Sequence, residues 1–219
     1  MSGHDAAGGA AAVGEVPAIG EAVVASGCGD VREESALEKT PPWKRLEEKA
    51  RELAELRPCC RGKIHPLAVV DGVLELGEGS VVKAGTVIEG HVRIGRNCII
   101  GPNAYLRGET WVGDDCRIGQ AVEVKSSILG NGVAVAHLSY VGDSVLEDDV
   151  NVGGGCILSN FRHDAGEIRM PWQGKLVPTG RQKLGACVGA HSRLGCKCVI
   201  LPGRVLPPGS RTEPGSVVR

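Results

Sequence analysis

Arg107 and Lys125 each directly follow an aliphatic residue, Leu106 and Val124, and stand 18 residues apart. If 18 residues make one turn of a repeating structure, the two cations stack on adjacent rungs. Parallel rungs lie ~4.8 Å apart, and two cations held at that distance repel unless an anion bridges them. A phosphate meets that need, with the guanidinium able to grip it bidentately. Glu89, one turn earlier in the same column, is the competing partner and would cancel the repulsion internally.

His137 stands in Ala136-His137-Leu138-Ser139-Tyr140 at an outward position, followed by Asn151, the run Gly153-Gly154-Gly155 and Asn160. An imidazole with its ordinary pKa near ~6.5 accepts a proton at physiological pH. An amine or hydroxyl nucleophile requires such an acceptor as it attacks an acyl group. A surface histidine alone is more often without function, and it is the company of Tyr140, Asn151 and Asn160 that argues for one here. Three glycines let a backbone approach a bulky ligand and offer N–H donors to an oxyanion or to the pantetheine arm of a cofactor, with Gly154 at the centre; the plainer alternative is a tight corner. Arg181, Lys183, Arg193, Lys197, Arg204 and Arg211 face Glu213 as the nearby acid. That stretch is either a basic surface suited to the phosphates of coenzyme A or a solvated face.

A six-residue beat must position these groups. From Leu76 an aliphatic returns at Val82, Ile88, Ile94, Ile100, Leu106, Val112, Ile118 and Val124, with a small or β-branched residue four places after each. Neither the helical period of 3.6 nor the strand period of 2 produces it. The pattern predicts an all-β solenoid, a parallel β-helix of hexapeptide repeats. Three hexapeptides make one coil, and each coil buries its aliphatics only against the coils beside it. The beat shortens by one residue between Val124 and Leu129 and between Val141 and Leu146, and it breaks between Leu158 and Val188. Arg204 falls in a small inward slot, which points to a local shift of register.

Three segments are read along the chain. Residues 1–40 show no sustained period and are expected to be a disordered tail. Within residues 41–60, Trp43, Leu46, Ala50, Leu53 and Leu56 recur at helical spacing after a proline pair, an amphipathic helix expected to cap the first coil. Residues 61–219 form the β-helix, and residues 161–183, where the beat disappears among His163, Asp164, Arg169, Trp172, Lys175 and Arg181, are expected as a loop inserted on the binding face.

Composition agrees with that reading. Aromatic content of 3% is too low for a sandwich or doubly wound sheet, while 42% hydrophobic residues suffice for an aliphatic core. The 33 glycines follow no triplet, which excludes collagen and favours tight corners. Of the nine cysteines, Cys98, Cys116, Cys156 and Cys198 fall in small inward slots, where a thiol acts as a small hydrophobe. No zinc-knuckle spacing accompanies them, so no metal is expected and a reducing cytoplasm is. No leader or span-length apolar run is present, so no membrane partner is expected. A net charge of −1 gives no bulk attraction to nucleic acid.

From about Gly101 to Val218, the segments Leu106-Arg107-Gly108, Val122-Glu123-Val124-Lys125, His137-Leu138-Ser139-Tyr140-Val141-Gly142-Asp143 and Val150-Asn151-Val152-Gly153 resemble the acetyltransferase domain of the bifunctional glucosamine-1-phosphate acetyltransferase/N-acetylglucosamine-1-phosphate uridylyltransferase enzymes. Thr179 to Ala186 looks like the archaeal-type branch of that family. The resemblance implies a left-handed coil, a homotrimer with sites between subunits, and acetyl-CoA as co-substrate with no metal required. It implies His137 as general base, Arg107 and Lys125 on the sugar phosphate, and Tyr140, Asn151 and Asn160 positioning the amino sugar, with Lys175 and Lys183 as candidates for a substrate lysine. Gly154, Arg181, Lys183 and Arg193 are the expected cofactor contacts. The expected reaction is N-acetylation of an amino-sugar 1-phosphate, feeding UDP-N-acetylglucosamine-type biosynthesis, with the uridylyl step on another protein. The alternative is a non-catalytic sugar-phosphate-binding scaffold or a regulatory partner of a separate nucleotidyltransferase. A zinc-dependent, carbonic-anhydrase-like solenoid ranks last, since the histidines show no pair five residues apart.

Overall fold

The aliphatic beat closes into a parallel β-solenoid, seen in a computed structural model that describes residues 40–219. The tail expected to be disordered therefore lies outside the described residues, Thr40 excepted. Each coil has three faces. The first carries the strands Tyr105–Arg107, Glu123–Lys125, Tyr140–Gly142 and Ile157–Leu158, and the second carries Glu109–Val112, Ile128–Leu129, Val145–Leu146 and Cys187–Val188. The third is an 8-stranded sheet running from Lys63–Ile64 to Arg211–Thr212. Val69–Leu76 and Val87–Ile94 run unbroken around the corner from the first face to the second, which joins those two faces into one 14-stranded sheet.

Inward positions hold one stack per face. Leu106, Val124 and Leu158 on the first, Leu129, Leu146 and Val188 on the second, and Ile100, Val135 and Val152 on the third are all within 1% of full burial. Cys98, Cys116, Cys156 and Cys198 fill small slots at 0% exposure, as their positions require. Polar small residues other than Thr86 are satisfied locally, as where Ser139 Oγ donates to Gly153 O at 3.1 Å and accepts from Cys156 N at 3.2 Å. The corner between third and first faces repeats a left-handed residue, Asn103 (φ 53), Ala121 (52), Leu138 (59) and Lys197 (58). That conformation costs roughly 1–2 kcal/mol for an L-residue. It is held by bonds between coils such as Leu138 N to Gln120 O at 3.0 Å.

The two slips of the beat are two shortened corners. Between the first and second faces the turn contracts at Ser126 (φ 44) and Asp143 (φ 45), so Ile128 pairs with Trp111 and Val145 with Ile128, each 17 residues away. The register shift expected at Arg204 does not occur, because Cys187 pairs with Val205 and Val188 with Leu206 in step. Arg204 occupies an inward slot on the last rung of the second face, where no further coil crowds it, and its side chain is half-buried.

The helix spans Pro42–Ala54, with proline in its first turn, and it does not cap the first coil. It lies along the outside of the second face, because the outward residues there, Trp111, Ile128, Val145 and Cys187, form an apolar strip that needs cover more than the coil end does. Trp43 and Leu46 pack onto that strip. The inserted segment joins them rather than remaining a loop: Arg169–Trp172 and Lys175–Pro178 form an antiparallel hairpin. Ile168, Met170 and Leu184 enter the same cluster. Trp43 and Trp172 meet edge to face at 6.2 Å and 76°. Lys49 and Arg93 lie 3.9 and 4.0 Å from the Trp111 ring centre, and Arg45 pairs with Glu147. Among the described residues no helix is long and apolar enough to cross a membrane.

Candidate active site

The first face does what the 18-residue spacing requires. Arg107, Lys125 and Gly142 are register partners in one outward column, with Tyr105, Glu123 and Tyr140 beside them. The repulsion between the two cations is not relieved by Glu89, whose carboxylate accepts from the Tyr105 hydroxyl. Arg107 turns to Glu123, with Nε and a terminal nitrogen 2.8 and 2.7 Å from Oε1. Lys125 Nζ donates to both oxygens of Asp143, at 3.0 and 2.8 Å.

Above this column opens a cleft of about 390 Å³ lined by Arg107, Lys125, Tyr140, Asn160, Phe161 and Lys183. Tyr140 leans across Gly142, where a Cβ would come 2.4 Å from the phenol oxygen, so only glycine leaves the ring its place. Burial first, and the Asp143 charge second, hold the Tyr140 phenol above its ordinary pKa, so the hydroxyl stays a donor. Asn160 reaches Asp143 through Nδ2 at 2.5 Å. An antiparallel bridge between Phe161 and Lys183 closes the base of the insert and brings both side chains to the cleft.

The remaining sequence-derived residues lie elsewhere. His137 is exposed at the corner between third and first faces, its ring over Gly154 of the next coil. It precedes Tyr140 by three residues, which span ~10 Å when extended. Asn151 is on the third face in register with Arg193. Arg193 is tied to Asp149 at 2.7 Å, and His191 reaches the same carboxylate at 3.0 Å. Those two bonds hold Asp149 below the usual carboxylate range.

A single chain thus divides the candidate set between two edges of its first face. Arg107, Lys125, Tyr140 and Asn160 gather at one edge, joined by Lys183 and by Arg181, whose guanidinium is 3.9 Å from Asp143 and whose Nε donates to Lys183 O. His137, Gly154, Asn151 and Arg193 stand at or beyond the other. Within one chain the expected cofactor contacts are divided: Arg181 and Lys183 are not brought together with Gly154 and Arg193, because the insert returns to the coil on the far side of the face. The triple glycine is corrected. Gly153 N and Gly155 N already bond to Leu194 O and His137 O at 2.9 Å, so the run serves close approach rather than a bank of free donors. Sequence reasoning gave no role to Glu123, Asp143 or Phe161. Asp143 carried a signal, since it stands at one of the shortened corners where neighbouring coils have Gly108 and Ser126.

Residues 91–126 match the family model described as bacterial transferase hexapeptide (six repeats). A bifunctional sugar-1-phosphate nucleotidylyltransferase/acetyltransferase of Sulfurisphaera tokodaii is 46% identical over 98 residues, 45% of this chain and 24% of that protein. The bifunctional protein GlmU of Methanococcus maripaludis strain C7 is 46% identical over 162 residues, 74% of this chain and 39% of that protein. That of Methanocaldococcus jannaschii is 35% identical over 162 residues, 74% and 40% respectively. The chain spans between about a quarter and two fifths of the length of these curated relatives. The inward six-residue beat, the three-faced coils and these matches show a hexapeptide-repeat domain, and over 74% of its length the chain is similar to archaeal bifunctional proteins of the GlmU kind.

Proposed function

We propose that this chain transfers the acetyl group of acetyl-CoA to the amine of an amino-sugar 1-phosphate, with glucosamine 1-phosphate as the first substrate to test. The cleft carries the reading: two cations on successive rungs, a third from the insert, a phenol and a carboxamide surround about 390 Å³. Arg107, Lys125 and Lys183 suit a phosphate dianion, and Tyr140 and Asn160 suit the hydroxyls and amine of a hexosamine. The acetyltransferase activity for which the Sulfurisphaera tokodaii relative is named supports the same reaction.

His137 supplies the base in this reading. The amine nitrogen attacks the thioester carbonyl, the C–N bond forms as the C–S bond breaks, His137 Nε2 takes the nitrogen's proton and coenzyme A leaves as its thiolate. Gly154 and Arg193 stand on the His137 side for the cofactor, with Asn151 nearby. The two edges of the first face are half-sites completed between subunits of a homotrimer. Exposed apolar residues on or beside that face, Leu138 at 65%, Ile157 at 37% and Val217 at 42%, support such an association.

Mass-spectrometric detection of N-acetylated product from the protein, acetyl-CoA and glucosamine 1-phosphate, beside His137→Ala, is the test. Product from wild type and a loss of ~10²–10⁴-fold in the variant is the expected result. Full activity in the variant would sink the mechanism.

A further inference from the structure

One carboxylate behind the cleft has been given no task. Asp143 is 3% exposed, on a corner with φ +45, and it collects Lys125 at 2.8 and 3.0 Å, Asn160 at 2.5 Å and Arg181 at 3.9 Å. Two of these line the cleft, and the third bonds to the backbone of Lys183, which also does. We propose that Asp143 is the positioning residue of the phosphate subsite, an inference that rests on the amino-sugar phosphate reading above.

The geometry specifies how it acts. An ammonium has three protons, and Asp143 takes two of those on Lys125, leaving the third for an anion in the cleft. A carboxamide bound through Nδ2 has its oxygen left over, so Asp143 makes Asn160 an acceptor toward the ligand, suited to a sugar hydroxyl or an ammonium. The same charge keeps Lys125 and Arg181 from repelling each other where little water screens them, Lys125 being 17% and Arg181 26% exposed. The equivalent corners of the two preceding coils carry Gly108 and Ser126, so neither supplies a substitute charge. The one-residue contraction at Ser126 leaves Lys125 in register with Gly142, the residue immediately before the carboxylate.

A double-mutant cycle on the full chain tests this, with calorimetric affinity for glucosamine 1-phosphate and for glucosamine measured in wild type, Asp143→Asn, Lys125→Met and the double variant. Asp143→Asn should weaken glucosamine 1-phosphate roughly 10- to 100-fold, the range met when an outer partner of a ligating group is removed. It should weaken glucosamine less, and it should add little once Lys125 is gone. Equal losses on both ligands, additive losses, or no binding of glucosamine 1-phosphate by wild type would overturn the proposal. Should Asp143→Asn not fold, Asp143→Ser replaces it, since serine already occupies the corresponding corner at Ser126 with φ 44. An intact cycle with no acetylated product would instead sink the proposed reaction and leave the positioning role standing.

Discussion

The imidazole of His137 rests on the backbone of Gly154 so closely that a Cβ there would come 2.9 Å from Nε2 and 3.2 Å from Cδ2. Gly154 is not in the left-handed region, so alanine strains no backbone, and the far end of a surface side chain is what must move. Gly154→Ala should therefore leave the coils folded and swing the ring aside, lowering turnover about tenfold, a part of what a missing base costs. The check is kcat beside the thermal midpoint: an unchanged midpoint with full activity would show that the ring's seat on Gly154 is irrelevant.

Tyr105 and Tyr140 are the only tyrosines in the chain, which makes them separately readable. Both phenols are held above their ordinary pKa, Tyr105 first by its hydrogen bond to Glu89 and Tyr140 first by burial. A group whose folded pKa is raised contributes stability that is intact below the unfolded value and is lost as pH rises through the folded one. Alkaline titration of phenolate absorbance should show ionisation later in the folded protein than in denaturant, with Tyr105→Phe isolating Tyr140. Coincident titrations would contradict the half-buried placement of Tyr140.

The cover on the second face turns on Trp43, 7% exposed and edge to face with Trp172. Truncating a buried tryptophan costs about 3–5 kcal/mol. Here the loss should be local, since the aliphatic stacks do not depend on the helix. Trp43→Ala should speed hydrogen exchange in Pro42–Ala54 and Arg169–Pro178 while the coil amides keep their protection. Uniformly faster exchange would show that the helix and hairpin are part of one cooperative unit with the coils.

The inward beat was legible because every sixth side chain meets its own kind on the next coil, and even its two slips mapped onto real corners at Ser126 and Asp143. Arg107 and Lys125 followed from the same arithmetic. What covers the second face was not legible. Trp43 and Leu46 announce an apolar stripe, but its target, Trp111, Ile128 and Val145, is spread over residues 17 apart; the six-residue beat counts Ile128, four after Val124, as inward, and the contraction at Ser126 gives the inward slot to Ser127 and turns Ile128 outward. The partner of Arg107 was misjudged for a related reason: Glu89 and Glu123 are both one coil away, and the Tyr105 hydroxyl decides which is taken. Asp143 escaped because a carboxylate at a corner ordinarily faces water, and only the contraction of that corner turns it toward Lys125.

Two inward threonines give predictions of opposite sign. Thr86 Oγ1 is buried with no hydrogen-bond partner, whereas Thr110 Oγ1 donates to Arg107 O at 2.8 Å. Valine matches threonine in shape and differs in the hydroxyl. At Thr86 the substitution removes a desolvated, unsatisfied group, a penalty of about 1–3 kcal/mol, and should stabilise the solenoid by about 1 kcal/mol. At Thr110 it removes a made bond beside the candidate phosphate column and should destabilise by about the same amount. Denaturant midpoints with unchanged slopes measure both. Stabilisation by Thr110→Val, or loss at Thr86, would show that shape and not the hydroxyl governs these slots.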